Sequence, residues 1–385
     1  MDTTKSFTFE MPSRLVFGVG SSQRVGEEMA RLGSSRVLVV TDPGLMKTGI
    51  PEMITGSLGK AGIAWTIFSD VEPNPSVETV EAAFGLYREH GANGIVAVGG
   101  GSSIDTAKAV GVLAVGGGSI RDYEGIGKVK GPLPPLLAVP TTCGTGAEVT
   151  HYAVITDKQR KFKMTIGSAF NIPKVAVVDP GLLTNLPAHL VASTGMDALT
   201  HAIESYTNLV SHPLSEALNI QAIRMIAQNL RIAVANGSLS ALCELALAST
   251  MTGIGFTNTR LGIVHAMSHP VGGHANVPHG VANAILLPHA MEYNLMGNPQ
   301  KHAEVAAAMG EAVDGLSLMD AAWQSVEAVR NLSRDIGIPE GLRAVGVTDD
   351  MLEPMAEDAM KSGNIPLNPR RVTKKDILNI YKRAM

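Results

Sequence analysis

Four of the chain's eleven histidines fall within fifteen residues, in the run His265-Ala-Met-Ser-His269-Pro-Val-Gly-Gly-His274-Ala-Asn-Val-Pro-His279. Upstream, Asp197-Ala-Leu-Thr-His201 sets a carboxylate and an imidazole four residues apart. Imidazole and carboxylate together suit a borderline divalent cation such as Zn(II) or Fe(II). At that spacing Asp197 and His201 share one face of a helix and can reach the same ion. His265 and His269 repeat the spacing, whereas His279 follows Pro278 and belongs to the next turn or helix. Either segment alone is also compatible with ordinary surface or core positions, but each supplies what the other lacks. The combination points to a mononuclear site of Asp197, His201, His265 and His279.

A second group of residues suits a phosphate. Val98-Gly-Gly-Gly-Ser102-Ser-Ile-Asp105-Thr-Ala-Lys108 follows a strand-like run and opens a helix. Glycines admit a pyrophosphate close to the backbone, and a helix N-terminus offers N–H donors and a positive dipole end. The run matches neither the spaced dinucleotide fingerprint nor a Walker loop, and a tight turn without ligand remains open. Pro140-Thr141-Thr142-Cys-Gly-Thr145-Gly is a second polar turn, whose hydroxyls can meet a nucleotide or cap the next helix. Asp42 ends another strand-like run. There it can hold both ribose hydroxyls and repel a 2′-phosphate, favouring NAD over NADP, or simply make an Asp-Pro turn.

These residues need a scaffold, and the first half of the chain reads as alternating strands and helices. Arg36–Asp42, Gly94–Gly99, Leu136–Pro140 and Val175–Asp179 are short β-branched runs of the kind found in buried parallel strands. Ser76–His90 reads as a helix with Glu78, Glu81 and Glu89 on its wet side. Beyond Pro187 the β-branched runs disappear. Stretches such as Ala198–Tyr206, Ser215–Ala235 and Lys301–Met309 predict a helical half, with the boundary between residues 180 and 187. An active site in the cleft between the halves is expected.

With 385 residues, 45% hydrophobic and 17% charged, the chain is expected to be globular with two cores. No uninterrupted apolar run approaches the length of a bilayer, so no membrane partner is expected. A net charge of −4 without a basic block argues against nucleic acid. The polar N-terminus and only two cysteines, Cys143 and Cys243, suit a reducing cytoplasm.

Together the motifs resemble the iron-containing (group III) alcohol dehydrogenases, and within them the short-chain alcohol and diol dehydrogenases of the lactaldehyde reductase type. The resemblance rests on the Gly99–Ser102 loop, Pro140–Glu148, Gly195–Glu204, and His265–Pro270 through Pro278–Asn283. It implies an α/β dinucleotide-binding domain with a mostly parallel sheet over residues 1–184. An all-α metal and catalytic domain follows over 185–385, the fold shared with dehydroquinate synthases. It implies Asp197, His201, His265 and His279 as metal ligands, with His269 near the substrate as the candidate proton relay. Asp42, Asn74, Gly100, Gly101, Ser102, Thr141, Thr142, Thr145 and Lys163 match NAD contacts, with Asp105 near the diphosphate. Tyr152 and Phe256 fall where pocket-lining residues are expected.

Two departures stand out. His274-Ala275 replaces a pair of aromatics usual in such relatives, which would open the pocket and make His274 part of it. Cys143 stands where alanine is usual. The implied activity is metal-dependent, NAD(H)-linked interconversion of a short-chain alcohol or diol with its aldehyde or ketone. A hydroxyacid–oxoacid transhydrogenase of the same superfamily is the alternative. Fe(II) is the expected metal, ahead of Zn(II) or Mn(II), because four protein ligands leave room for substrate only at higher coordination. A homodimer or higher homo-oligomer is expected.

Overall fold

The computed structural model describes residues 6–160 and 162–385, which form two compact units. One is Met11–Leu186; the other is Pro187–Met385 together with the described residues up to Glu10. The N-terminal segment joins the helices rather than the sheet for a visible reason. Phe7 stacks on His212 at 4.2 Å between ring centres, and the Glu10 N–H donates to Asn258 Oδ1 at 2.7 Å.

Among its described residues the first unit carries nine strands. They are β1 (Arg14–Phe17), β2 (Arg36–Val40), β3 (Ala64–Phe68), β4 (Gly94–Gly99), β5 (Gly125–Ile126), β6 (Leu136–Pro140), β7 (Tyr152–Asp157), β8 (Phe162–Gly167) and β9 (Val175–Val178). Six form one wholly parallel sheet in the order β1-β9-β6-β4-β2-β3. Its four interior members are the four runs expected from sequence. Helices α1 (Val25–Arg31), α2 (Ile50–Lys60), α3 (Val77–Glu89) and α4 (Gly101–Gly116) cover it. Alternation along the strands divides the core in two. Val37, Val39, Val96 and Val98 pack with Met29, Ile54 and Leu58 of α1 and α2. Leu38, Val40, Ile95 and Ala97 pack with Ala83 and Tyr87 of α3 and Ile104, Ala107 and Val110 of α4. Each buried Val, Leu, Ile or Met among these contributes roughly 1.5–3 kcal/mol, so both faces of the sheet are energetically committed. Ser76 caps α3 through the Thr79 N–H, and Glu78, Glu81 and Glu89 are exposed, as its sequence predicts.

A second sheet, β5-β8-β7, was not anticipated. Its β7–β8 pair is antiparallel, and one face buries Ile155, Met164 and Ile166 against Val77, Val80 and Leu113.

The second unit is helical, with no strand among its described residues. It comprises α5 (Ala188–Thr207), α6 (Pro213–Asn236), α7 (Leu239–Thr259), α8 (Ile263–Ala275), α9 (His279–Asn294), α10 (Pro299–Met309), α11 (Leu318–Asp335), α12 (Leu352–Ala359) and α13 (Lys374–Arg383). By length and composition α7 would suffice to cross a membrane, which the sequence reading did not foresee because Glu244 and several hydroxyl residues interrupt the apolar run. It is instead mostly buried as a core helix, packed on α5 and α6. Pro270 lies inside α8, where it removes a backbone donor. One turn earlier, the Met267 carbonyl receives the hydroxyl of the fully buried Tyr381 of α13 at 2.6 Å.

Candidate metal centre and dinucleotide loops

Three elements of the helical unit bring the sequence-singled histidines together. Asp197 and His201 project from α5, His265 and His269 from α8, and His279 is the first residue of α9. One ligand atom each from Asp197, His265 and His279 lies within 4.8 Å of the other two. Asp197 Oδ1 is 3.9 Å from His265 Nε2 and 3.8 Å from His279 Nε2. Metal–ligand bonds of about 2.0–2.2 Å allow one ion to bridge such a spacing. His201 stands beside this trio, its ring stacked on Phe256 at 4.4 Å and on His265 at 4.6 Å. His269 is half-buried, 5.3 Å from His279 ring to ring.

The electrostatics favour a cation. Burial, reinforced by the neighbouring imidazoles of His201, His279 and His269, holds His265 well below the ordinary histidine range. It is therefore neutral at pH 7, as a metal-binding imidazole must be. Burial pushes Asp197 upward, against the opposing influence of His201 and the Asn283 amide. A buried carboxylate beside a neutral imidazole is a setting in which a divalent ion supplies favourable charge.

Asn283 of α9 occupies the middle of this arrangement. Its Nδ2 donates to Asp197 Oδ1 at 2.6 Å and lies 3.1 Å from both His265 Nε2 and His279 Nε2. An N–H donor facing three acceptors stands in for the electropositive partner that they share. The other amide atom, Oδ1, is buried without a hydrogen-bond partner.

In the α/β unit, β4 runs into α4 through Gly99 and Gly100. Gly99 has φ +151°, which L side chains rarely adopt. Gly101 opens α4, and a Cβ there would come within 2.9 Å of Thr145 Cγ2. The glycine turn and the threonine turn after β6 are thus pressed backbone to side chain. No side chain caps the N-terminus of α4. Asp42 Oδ1 accepts the Gly44 and Leu45 N–H groups at 2.9 and 3.1 Å, making the turn after β2, while Oδ2 lies on the Gly99 side. Asn74 has φ 57° and accepts the Lys163 ammonium at 2.7 Å, and burial lowers Lys163 to about 8. Asp105, which burial raises to about 6, accepts the Val154 N–H at 3.0 Å. Ser102, Thr142 and Thr145 are half-buried and Thr141 is buried.

Comparison with known proteins decides the family. The family model for iron-containing alcohol dehydrogenases matches residues 12–180, and that for the Fe-containing alcohol dehydrogenase family, C-terminal, matches 191–385. The chain belongs to the iron-containing alcohol dehydrogenase family. It is 42% identical to lactaldehyde reductase of Escherichia coli (strain K12), over 96% of this chain and 97% of the relative. It is 39% identical to NAD-dependent methanol dehydrogenase of Bacillus methanolicus, over 98% and 99%. A solved structure of 1,3-propanediol oxidoreductase superposes with a TM-score of 0.97 at 45% identity, covering 99% of this chain and 100% of that one. The chain is accordingly an oxidoreductase, and a divalent metal belongs to its family's chemistry.

Three residues of this alcohol dehydrogenase acquire roles that sequence reasoning did not assign. Asn283 and Glu204 lay inside the motifs that carried the resemblance; the available signal was helical spacing, Glu204 lying seven residues after Asp197 and Asn283 four after His279. Glu204 Oε2 is 2.6 Å from His265 Nδ1, and Oε1 accepts the Val264 N–H at 2.6 Å. Burial raises Glu204 to about 7 against the opposing pull of the Gly262, Val264 and His265 N–H groups. Lys108 is fully buried in α4, where its Nζ donates to the carbonyls of Thr150 and Tyr152, both at 2.8 Å. A lysine amid the apolar residues of α4 was the available signal. Elsewhere, Tyr152 is half-buried against His151 at 3.9 Å, and Cys143 is buried. His274 sits at the exposed end of α8, where Nε2 pairs with Asp358 Oδ2 at 2.8 Å.

Proposed function

We propose that the chain is a metal-dependent, NAD(H)-linked alcohol dehydrogenase interconverting short-chain alcohols or diols with their aldehydes or ketones. The observation that carries this is the convergence of Asp197, His265 and His279 on one point, already faced by a stand-in N–H donor. With His201 beside them, these residues hold the cation. When bound, it supplies Lewis acidity toward the alcohol or carbonyl oxygen. Fe(II) is the first choice, since four protein ligands leave space for substrate only above four-coordination; Zn(II) and Mn(II) follow.

The protein's own share is binding, orientation and proton movement. Gly100, Gly101 and Ser102 receive the diphosphate at the uncapped N-terminus of α4, with Asp105 below. Thr141, Thr142, Thr145, Asn74 and Lys163 hold the remainder of NAD, and Asp42 takes the ribose hydroxyls. His269, half-buried beside His279, passes the proton between substrate oxygen and solvent. Phe256, Tyr152 and His274 border the substrate. The active form is a cytoplasmic homodimer or larger homo-oligomer.

The test is anaerobic NADH oxidation by Fe(II)-loaded protein with glycolaldehyde, lactaldehyde, butanal and a carboxylated aldehyde, and with NADPH and Zn(II) in parallel. Turnover with NADH that chelation abolishes is expected. Absence of turnover with every aldehyde and metal would overturn the proposal. Turnover only with paired hydroxyacid and oxoacid would assign a transhydrogenase instead.

A further inference from the structure

We infer that Glu204 is a positioning residue that fixes the ring and proton arrangement of His265 and thereby sets the metal affinity of the site. The inference rests on the reading of Asp197, His265 and His279 as ligands. Glu204 follows Asp197 by seven residues and His201 by three, so α5 presents all three on one face. Its carboxylate is 5% exposed and reaches the start of α8. There Oε1 accepts the Val264 N–H at 2.6 Å, and Oε2 accepts the His265 N–H at 3.4 Å and meets His265 Nδ1 at 2.6 Å. Gly262, before α8, offers no side-chain cap, so a carboxylate from another helix caps its first turn. A Cβ at Gly262 would sit 2.7 Å from Glu204 Oε1, so the absence of a side chain there lets the carboxylate in.

Two observations fix the proton on His265. Backbone N–H groups only donate, so both Glu204 oxygens accept from them, and with the carboxylate ionised Oε2 receives the Nδ1–H. On the ring's other side, the Asn283 atom 3.1 Å from Nε2 also donates to Asp197 at 2.6 Å, and is therefore the amide nitrogen. An amide nitrogen does not accept, so a proton on Nε2 would meet it donor to donor, which favours the proton on Nδ1. The lone pair of Nε2 is thus turned toward Asp197 and His279 before any ion arrives. Partners of this kind typically govern metal affinity by about 10–100-fold when removed.

In Glu204→Gln, an amide NH2 would oppose an N–H donor in either orientation. It would face the Val264 N–H at the Oε1 position, or the His265 N–H and Nδ1–H at the Oε2 position, and the charge that braces His265 would be lost. The experiment measures Zn(II) and Co(II) dissociation constants by chelator competition, the Co(II) visible spectrum, the melting temperature, and the imidazole 15N shifts of metal-free protein. E204Q is expected to weaken both metals by about 10–100-fold and alter the Co(II) spectrum, with E204D recovering part of the loss. A folded E204Q binding metal within twofold of wild type overturns the assignment, whatever its melting temperature. So does a wild-type His265 protonated on Nε2 in the 15N spectrum, a measurement that needs no variant to fold. Asp197→Ala separates the two layers. If it leaves metal affinity intact, the ligand reading itself falls; if it abolishes binding while E204Q does not, only the role of Glu204 falls.

Discussion

Replacing Lys108 by Met should produce a stability loss that grows as pH rises. Lys108 is fully buried, with Nζ bonded to the Thr150 and Tyr152 carbonyls at 2.8 Å each and to Thr150 Oγ1 at 3.1 Å. Met keeps most of the stem but removes the ammonium donor from both carbonyls, costing about 1–3 kcal/mol each. Against this stands relief from a buried charge. Burial lowers Lys108 from 10.5 to about 8, with Asp105 and Glu148 opposing. A lysine lowered in the folded state binds its proton more weakly there than in the unfolded chain. At pH 7 both states hold the proton, and the folded state bears a penalty of about 3 kcal/mol. As pH climbs from 8 toward 10.5 the folded state sheds the proton first, and the penalty shrinks to about 1.5 kcal/mol by pH 9.5. The two effects nearly cancel at pH 7. Between pH 7 and 9.5, wild type should therefore gain about 2 kcal/mol over K108M. Urea denaturation at both pH values reads this difference. Trp65 of β3 reports the α/β unit once Trp323 is replaced by Phe in both proteins. A gap that stays constant or narrows with pH would refute the buried-charge account.

Three further outcomes follow from the same geometry. Asn283→Ala should destabilise metal-free protein by about 1–3 kcal/mol, since Asp197 loses its 2.6 Å donor, and metal-loaded protein by clearly less; equal losses in paired melting curves would count against the stand-in role. Lys163, lowered to about 8 by burial, loses its charge as pH rises through that value, so the dissociation constant for NADH should climb above pH 8. In K163M the profile should be flat, and fluorescence titration from pH 6.5 to 9.5 would expose any residual slope. Gly101→Ala places a methyl group 2.9 Å from Thr145 Cγ2 and should raise the KM for NADH about tenfold or more, with metal content by elemental analysis unchanged.

Legibility in the sequence followed burial. The interior strands β2, β4, β6 and β9 are almost wholly buried, and their unbroken apolar runs announce them. The edge strands β1 and β3 are largely exposed, with Arg14, Trp65 and Thr66 diluting the pattern, and they went unread. β7 and β8 alternate buried and half-exposed residues across a short charged turn, a hairpin signal overshadowed by the surrounding strand–helix rhythm. The proposed ligand set stood out because Asp197 and His201 repeat at helical spacing, and because histidines are rare enough for four in fifteen residues to be conspicuous. Glu204, Asn283 and Lys108 act through partners distant in sequence, such as Val264, Asp197 and Thr150, and no local pattern encodes those distances.

Ligand identity alone does not build such a centre, because side chains from three helices must meet at one point. A Cβ at Gly280 would lie 2.4 Å from the Ser193 carbonyl oxygen and 3.5 Å from Asp197 Cβ. Residue 280 directly follows His279, and Ser193 precedes Asp197 by one turn of α5, so this contact sets the separation of Asp197 and His279. Any side chain at 280 must push α9 away from α5 and carry His279 from the 3.8 Å at which its Nε2 faces Asp197. Gly262 acts likewise at α8, admitting the Glu204 carboxylate that braces His265. Two glycines thus hold their helices at the distances at which these side chains converge. In this chain the Asp-x-x-x-His pattern is informative only alongside His-Gly at 279–280 and Gly262 ahead of His265, since without them the same donor atoms would not converge.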